Sequence, residues 1–135
     1  MNKKNTIKKI YKLKYEKSDF NSGLVRWYNH LLDKSIEELN ETDVSKMIRQ
    51  DILKCVAIDR AIELFDKNPI IGEMYSGDIL YMLIKLIREK EVSGLQLNKI
   101  MNTIIRAKEN LNEFEWDDNE AKDKFIQNIN IINKI

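Results

Sequence analysis

The sequence predicts an all-α fold: a single compact domain of five to seven helices. Three observations point there. Apolar residues recur at spacings of three and four through most of the chain. Two capping boxes, Ser35-Ile36-Glu37-Glu38 and Ser93-Gly94-Leu95-Gln96, mark helix starts. The lone proline, Pro69, follows an amphipathic stretch and stops it, because the residue before proline is pushed out of the α region. The 135 residues suit one domain, and 43% apolar with 33% charged residues suits a soluble protein with a real core.

Residues 1–21 read as a basic N-terminal segment, and residues 22–135 as the helical domain. In the first, Tyr11, Leu13 and Tyr15 alternate with Lys12, Lys14 and Glu16, which is strand-like. Ile7, Ile10 and Tyr11 support a helix equally well, so this segment stays open between extended and helical. Leu24, Trp27, Tyr28 and Leu31 give the first helical face. Ser35 opens a short turn ending near Leu39. Thr42 and Asp43 start a short helix containing Val44, Met47 and Ile48.

Ile52, Cys55, Val56, Ile62 and Phe65 carry the next helix, with Asp59 interrupting the stripe. Asn68-Pro69 ends it. Ser76 is the expected N-cap of the following helix, and Asp78 in its first turn favours the helix dipole. Ile79 to Ile87 is apolar around most of its circumference, so that helix reads as the central buried one. Behind Ser93, Leu97, Ile100, Met101, Ile104, Ile105 and Leu111 form a stripe. Asp117, with Glu120 three residues on, opens a last helix carrying Phe125, Ile126, Ile129 and Ile132.

Several function classes are excluded early. The net charge of +1 removes any whole-protein field for nucleic acid or membrane. No apolar h-region follows the basic start, and Ile79 to Ile87 is about half of a bilayer span. The chain therefore reads as cytoplasmic. The single cysteine, Cys55, forbids an internal disulfide and reads as a buried reduced thiol. Lysines outnumber arginines 18 to 5, a bias of the kind an AT-rich genome produces. That weakens a functional reading of the seven lysines in residues 1–17. Charge is nonetheless unevenly spread. Residues 109–123 hold seven acids against one lysine, and Asp33, Glu37, Glu38, Glu41 and Asp43 form a second acidic patch.

No constellation reads as catalytic. His30, the only histidine, has Trp27, Tyr28 and Leu31 as neighbours and reads as a packed or surface residue. A zinc site would have only His30, Cys55 and carboxylates, none at ligand spacing. The carboxylates lack the spacing of a calcium loop. Gly72 and Gly77 have the five-residue separation of a phosphate loop, but Asp78 replaces the lysine and would repel phosphate. Turn chemistry explains the two glycines instead. Acidic runs are usually solvated surface, and the functional reading is a docking patch for a basic partner. The lysines with Tyr11 and Tyr15 give an alternative, a small nucleic-acid-associated regulator, against the plainer reading of a solvated terminus. An enzyme of unrecognised type ranks last.

One ordered set of residues goes further. It runs Leu24-Val25-Arg26, His30-Leu31, Lys34-Ser35-Ile36-Glu37-Glu38-Leu39, Asp43, Ile48-Arg49-Gln50, Ala61-Ile62-Glu63-Leu64 and Asn68-Pro69. It finishes with Gly72-Glu73-Met74-Tyr75-Ser76-Gly77-Asp78-Ile79-Leu80, the most specific part. The set resembles the immunity proteins of contact-dependent growth inhibition and related polymorphic toxin systems. Ser35 and Ser76 stand where that pattern usually has proline, and Met74 where it often has Phe or Tyr. The resemblance implies no catalysis and no cofactor. It implies a protein that binds and blocks the C-terminal toxin domain of a large secreted adhesin in the cytoplasm. Such toxins are often nucleases with basic clefts, which an acidic surface complements. The toxin-binding candidates are then Glu37, Glu38, Glu41 and Asp43 from one patch, and Glu113, Glu115, Asp117 and Asp118 from the other. Glu73 and Tyr75 join them from the motif, most of which reads as scaffold.

Overall fold

Helix caps and buried apolar stripes set the architecture in the computed structural model, which describes residues 5–17 and 22–135. The order is α1 (Ile7–Ile10), α2 (Gly23–Leu32), a 3-10 turn (Ile36–Glu38), α3 (Glu41–Arg49), α4 (Lys54–Lys67), α5 (Asp78–Arg88), α6 (Gly94–Glu109) and α7 (Asn119–Ile132). No strand occurs among the described residues, so the all-α expectation holds. Within the N-terminal segment, the described residues 5–17 form one helical turn and irregular chain. Ile7 is fully buried and its N–H bonds the Lys34 carbonyl at 2.8 Å.

The hub is α4 rather than α5. Helix α4 packs on the 3-10 turn, α3, α5 and α6, whereas α5 packs on α3, α4 and α7. Ala57 and Ala61, both fully buried, give α4 a small-residue stripe that lets neighbours come close. Side-chain bonds fix α6 parallel to α4: Gln96 meets Asp59, and Thr103 and Arg106 meet Asp66 seven residues on. Helix α5 does bury Ile79, Leu80, Leu83, Ile84 and Leu86, but Tyr81 and Lys85 leave one side in solvent.

Several caps sit a residue or two from their expected places. Asn40, not Thr42 or Asp43, caps α3; its side chain accepts the Asp43 N–H, and Asp43 accepts the Asn40 N–H. Asp118, not Asp117, caps α7 through the Ala121 N–H at 2.8 Å. The boxes at Ser35 and Ser93 are both present. Cys55 is exposed, against expectation. The first turn of α6 meets α4 at Asp59, one turn beyond Cys55. Ile105 is also exposed, on the outer side of α6.

A buried arginine ties the 3-10 turn to the hub. Arg60 is 7% exposed and donates to the Leu39 carbonyl at 3.0 Å and the Glu37 carbonyl at 2.7 Å. It also pairs with Glu63 at 3.1 Å. Its planar fork suits two carbonyls of a turn whose own helix has no further partners for them.

Candidate functional site: an acidic cleft beside the 69–77 loop

The loop between α4 and α5 is organised around one carboxylate. Asp78 accepts the N–H groups of Glu73 at 2.8 Å, Met74 at 2.7 Å and Tyr75 at 3.4 Å. Successive N–H groups pointing inward form the kind of concavity that holds an anion. Here the anion is supplied by the chain itself. Gly72 is required because a Cβ there would lie 1.9 Å from the Tyr75 carbonyl oxygen. Gly77, with φ of +88°, is the N-cap of α5, and its missing Cβ makes room for Phe125.

Ser76 was expected as that N-cap and does something else. Its hydroxyl accepts the Asp117 N–H at 3.0 Å, while its own N–H donates to the Asp117 carboxylate at 2.9 Å. This reciprocal pair joins the loop to the segment between α6 and α7. Trp116 anchors the same segment: its ring packs on Phe114 and Phe125, and its indole N–H donates to the Leu111 carbonyl at 2.9 Å. The acidic run is thus held in place by an aromatic cluster.

The result is an open cleft of about 310 Å³. Its walls are the loop, with Glu73 and Tyr75, and the anchored segment, with Glu115 and Asp117; Glu41 from the first turn of α3 completes it. Two acidic stretches, far apart in sequence, meet on either side of the motif. Glu73 is paired with Arg49 by two bonds, at 2.8 and 3.3 Å, which raise the Arg49 pKa. Glu41 and Glu115 carry no ion pair among the described residues. Lys124 lies over the Tyr75 ring, 4.7 Å from its centroid.

Of the ten sequence candidates, Glu41, Glu73, Tyr75, Glu115 and Asp117 line the cleft. Glu113 and Asp118 are exposed outside its lining, Asp118 acting as a cap. Glu37 is exposed, and the Glu38 carboxylate is held by the Ser35 N–H and hydroxyl. Asp43 is 4% exposed, paired with Lys34 at 2.7 Å and bonded to Trp27 and the Asn40 N–H. It holds α3 in place and does not reach a surface partner.

A family model of CDI immunity proteins matches residues 9–106. The chain belongs to that family. The match extends beyond the stretch that carries the resemblance in the sequence, and it contains the end of α1, all of α2 to α5 and most of α6. No curated protein and no solved structure matches the chain.

Sequence reasoning missed Arg60 and the Ser76–Asp117 pair. Nothing local signals either, since their partners lie 21 to 41 residues away. His30 is exposed, and no group of three or more metal-ligating side chains occurs among the described residues. Tyr15, offered as a base-stacking residue, has Lys8 over its ring at 4.1 Å and its hydroxyl bonded to Asp33. Among the described residues, no helix is long and apolar enough to cross a membrane.

Proposed function

We propose that this immunity-family protein binds its cognate toxin domain through the acidic cleft and neutralises it in the cytoplasm of the producing cell. The toxin is a nuclease, the C-terminal domain of a secreted adhesin. The observation that carries this reading is the convergence of Glu41, Glu115 and Asp117 beside the family's loop. A nuclease binds a polyanion, so its working surface is basic, and carboxylates held at fixed positions compete for that surface. Glu41 and Glu115 are available because no cation among the described residues pairs with them. No catalysis is needed: inhibition follows from occupancy. Opposite charge also accelerates encounter, which matters when the toxin must be caught before it acts.

Cells expressing the toxin domain encoded beside this gene should survive when this protein is co-expressed. Reversing both free charges, Glu41→Lys with Glu115→Lys, should slow association by about tenfold or more at low salt and abolish protection. The melting temperature should fall only slightly: neither carboxylate has an ion pair among the described residues, and the one loss to the fold is that of Glu41 from the first turn of α3. Absence of a complex with wild-type protein, together with absence of protection, would sink the reading. Unaltered affinity in the charge-reversed protein would move the interface elsewhere.

A further inference from the structure

The acidic cleft is too small to be the whole contact. A stable protein–protein interface covers about 800 Å² and about 20–30 residues on each partner, whereas eleven residues line the cleft. A toxin domain seated over Glu41 and Glu115 must extend across one of the cleft walls. Along the 113–118 wall the aromatic rings are committed to internal packing, and what remains outward is carboxylate.

The other wall is the ridge of Glu73, Met74 and Tyr75, and beyond it lies a second depression. This groove, of about 290 Å³, runs between α3 and α5; Met74, Tyr81 and Met82 line it with Arg49 and Lys85, and the carboxylates of Glu73 and Asp78 border it, already bonded to Arg49 and to the loop N–H groups. Met74 is 81% exposed and Tyr81 52%, which no requirement of the fold explains. A flexible thioether beside a tyrosine is the chemistry of interface anchors. The charge differs from that of the cleft. Arg49 is taken by Glu73, while Lys85 has no ion pair among the described residues. The ridge therefore separates an acidic depression from a mainly apolar one, whose bordering carboxylates are bonded within the chain and whose rim carries Lys85 without an ion pair among the described residues.

We infer that the α3–α5 groove is the second half of the toxin interface, and that it takes an apolar side chain of the toxin with a carboxylate beside it, aligned on Lys85. This rests on the toxin-binding reading above. The occupant is fixed by charge complementarity and by continuity: whatever covers the cleft reaches Met74 across a wall the two depressions share.

The test titrates the inactivated toxin domain, encoded beside this gene, against variants by calorimetry at two salt concentrations. Met74→Ala with Tyr81→Ala should weaken binding by about tenfold or more and leave the salt dependence as in the wild type. Lys85→Glu should weaken it several-fold and be rescued by a toxin variant carrying lysine for its facing carboxylate. Met74→Asp, on an exposed loop, repeats the test without touching a helix, and melting curves check the fold of each variant. If wild-type protein forms no complex, the toxin-binding reading falls and this one with it. If Glu115→Lys weakens binding while the Met74, Tyr81 and Lys85 variants all bind within about twofold of wild type, the cleft stands and the groove is overturned.

Discussion

A methyl group at position 72 tests whether the Asp78 carboxylate holds the motif loop in shape. In Gly72→Ala the new Cβ would lie 1.9 Å from the Tyr75 carbonyl oxygen and 2.7 Å from an Asp78 oxygen. The first is a backbone atom, so no rotamer change relieves it, and the 72–75 turn must open. Opening draws the Glu73 and Met74 N–H groups, now at 2.8 and 2.7 Å, away from the carboxylate. Hydrogen bonds to a charged group contribute about 1.5–3 kcal/mol each. The released N–H groups reach water, which favours the low end and gives a loss of about 3 kcal/mol for the pair. Alanine's smaller unfolded-state entropy offsets about 0.4–1 kcal/mol of it. Gly94→Ala is the control: its Cβ meets nothing within 4 Å, at the first position of α6, and stabilises by up to about 1 kcal/mol. Urea denaturation of both proteins should separate them by about 3 kcal/mol at equal m-value. Stabilities within about 0.5 kcal/mol of each other would refute the account, since that is the scatter of inert surface changes.

Arg60→Met should cost about 2–3 kcal/mol by stranding the Leu39 and Glu37 carbonyls, and Arg60→Lys should recover only part because one ammonium cannot span both; a wild-type urea midpoint for Arg60→Met would show that water replaces the guanidinium. The Asp66 pKa is lowered, first by the Thr103 hydroxyl and then by Arg106, so its contribution is present above the unfolded carboxylate pKa and lost as pH falls through the depressed folded one. Thr103→Val should raise that pKa and move the loss to higher pH, visible in a carboxyl-carbon NMR titration; an unmoved titration would exclude the hydroxyl as its cause. Ser76→Pro should leave the fold standing, because the family pattern accommodates proline there, but should speed amide exchange across residues 113–118. Unchanged exchange would mean that Trp116 alone anchors the segment.

Helix existence was legible because it depends on local patterns. Ser35 and Ser93 signal starts through a partner three residues on, and Pro69 signals an end through its neighbour. Other ends were hidden because the usual glycine is missing: Lys12, Asp51 and Lys90 take the left-handed conformation after α1, α3 and α5, with φ of 53°, 54° and 60°. The hub was misjudged because α5 is more apolar than α4, yet centrality follows from what packs around a helix, and the small Ala57 and Ala61 carry little hydropathy. Cys55 failed for a related reason. The local pattern put it on the apolar side of α4, whereas its exposure depends on what packs beside that helix. The acidic residues were visible as two runs, whereas their meeting at one cleft is a tertiary fact.

Both departures from the family pattern place serine where proline is usual, and both serines do the same work. Ser35 holds the Glu38 carboxylate with its N–H at 3.1 Å and its hydroxyl at 2.9 Å. Ser76 holds Asp117 with its N–H at 2.9 Å and its hydroxyl oxygen at 3.0 Å. Proline has neither an N–H nor a hydroxyl, so it would make none of these bonds. Each serine thereby holds one carboxylate of an acidic patch in a fixed position. The loop that identifies the family supplies rigidity through Asp78, which fills the anion concavity from within and so denies it to phosphate. A phosphate loop and this loop share glycines and inward N–H groups; the carboxylate at 78 turns the same geometry from ligand capture to scaffold. In the reading proposed above, binding falls to the rims the scaffold presents, where the carboxylates of Glu41 and Glu115 stand on one side of the ridge and Met74 and Lys85 on the other.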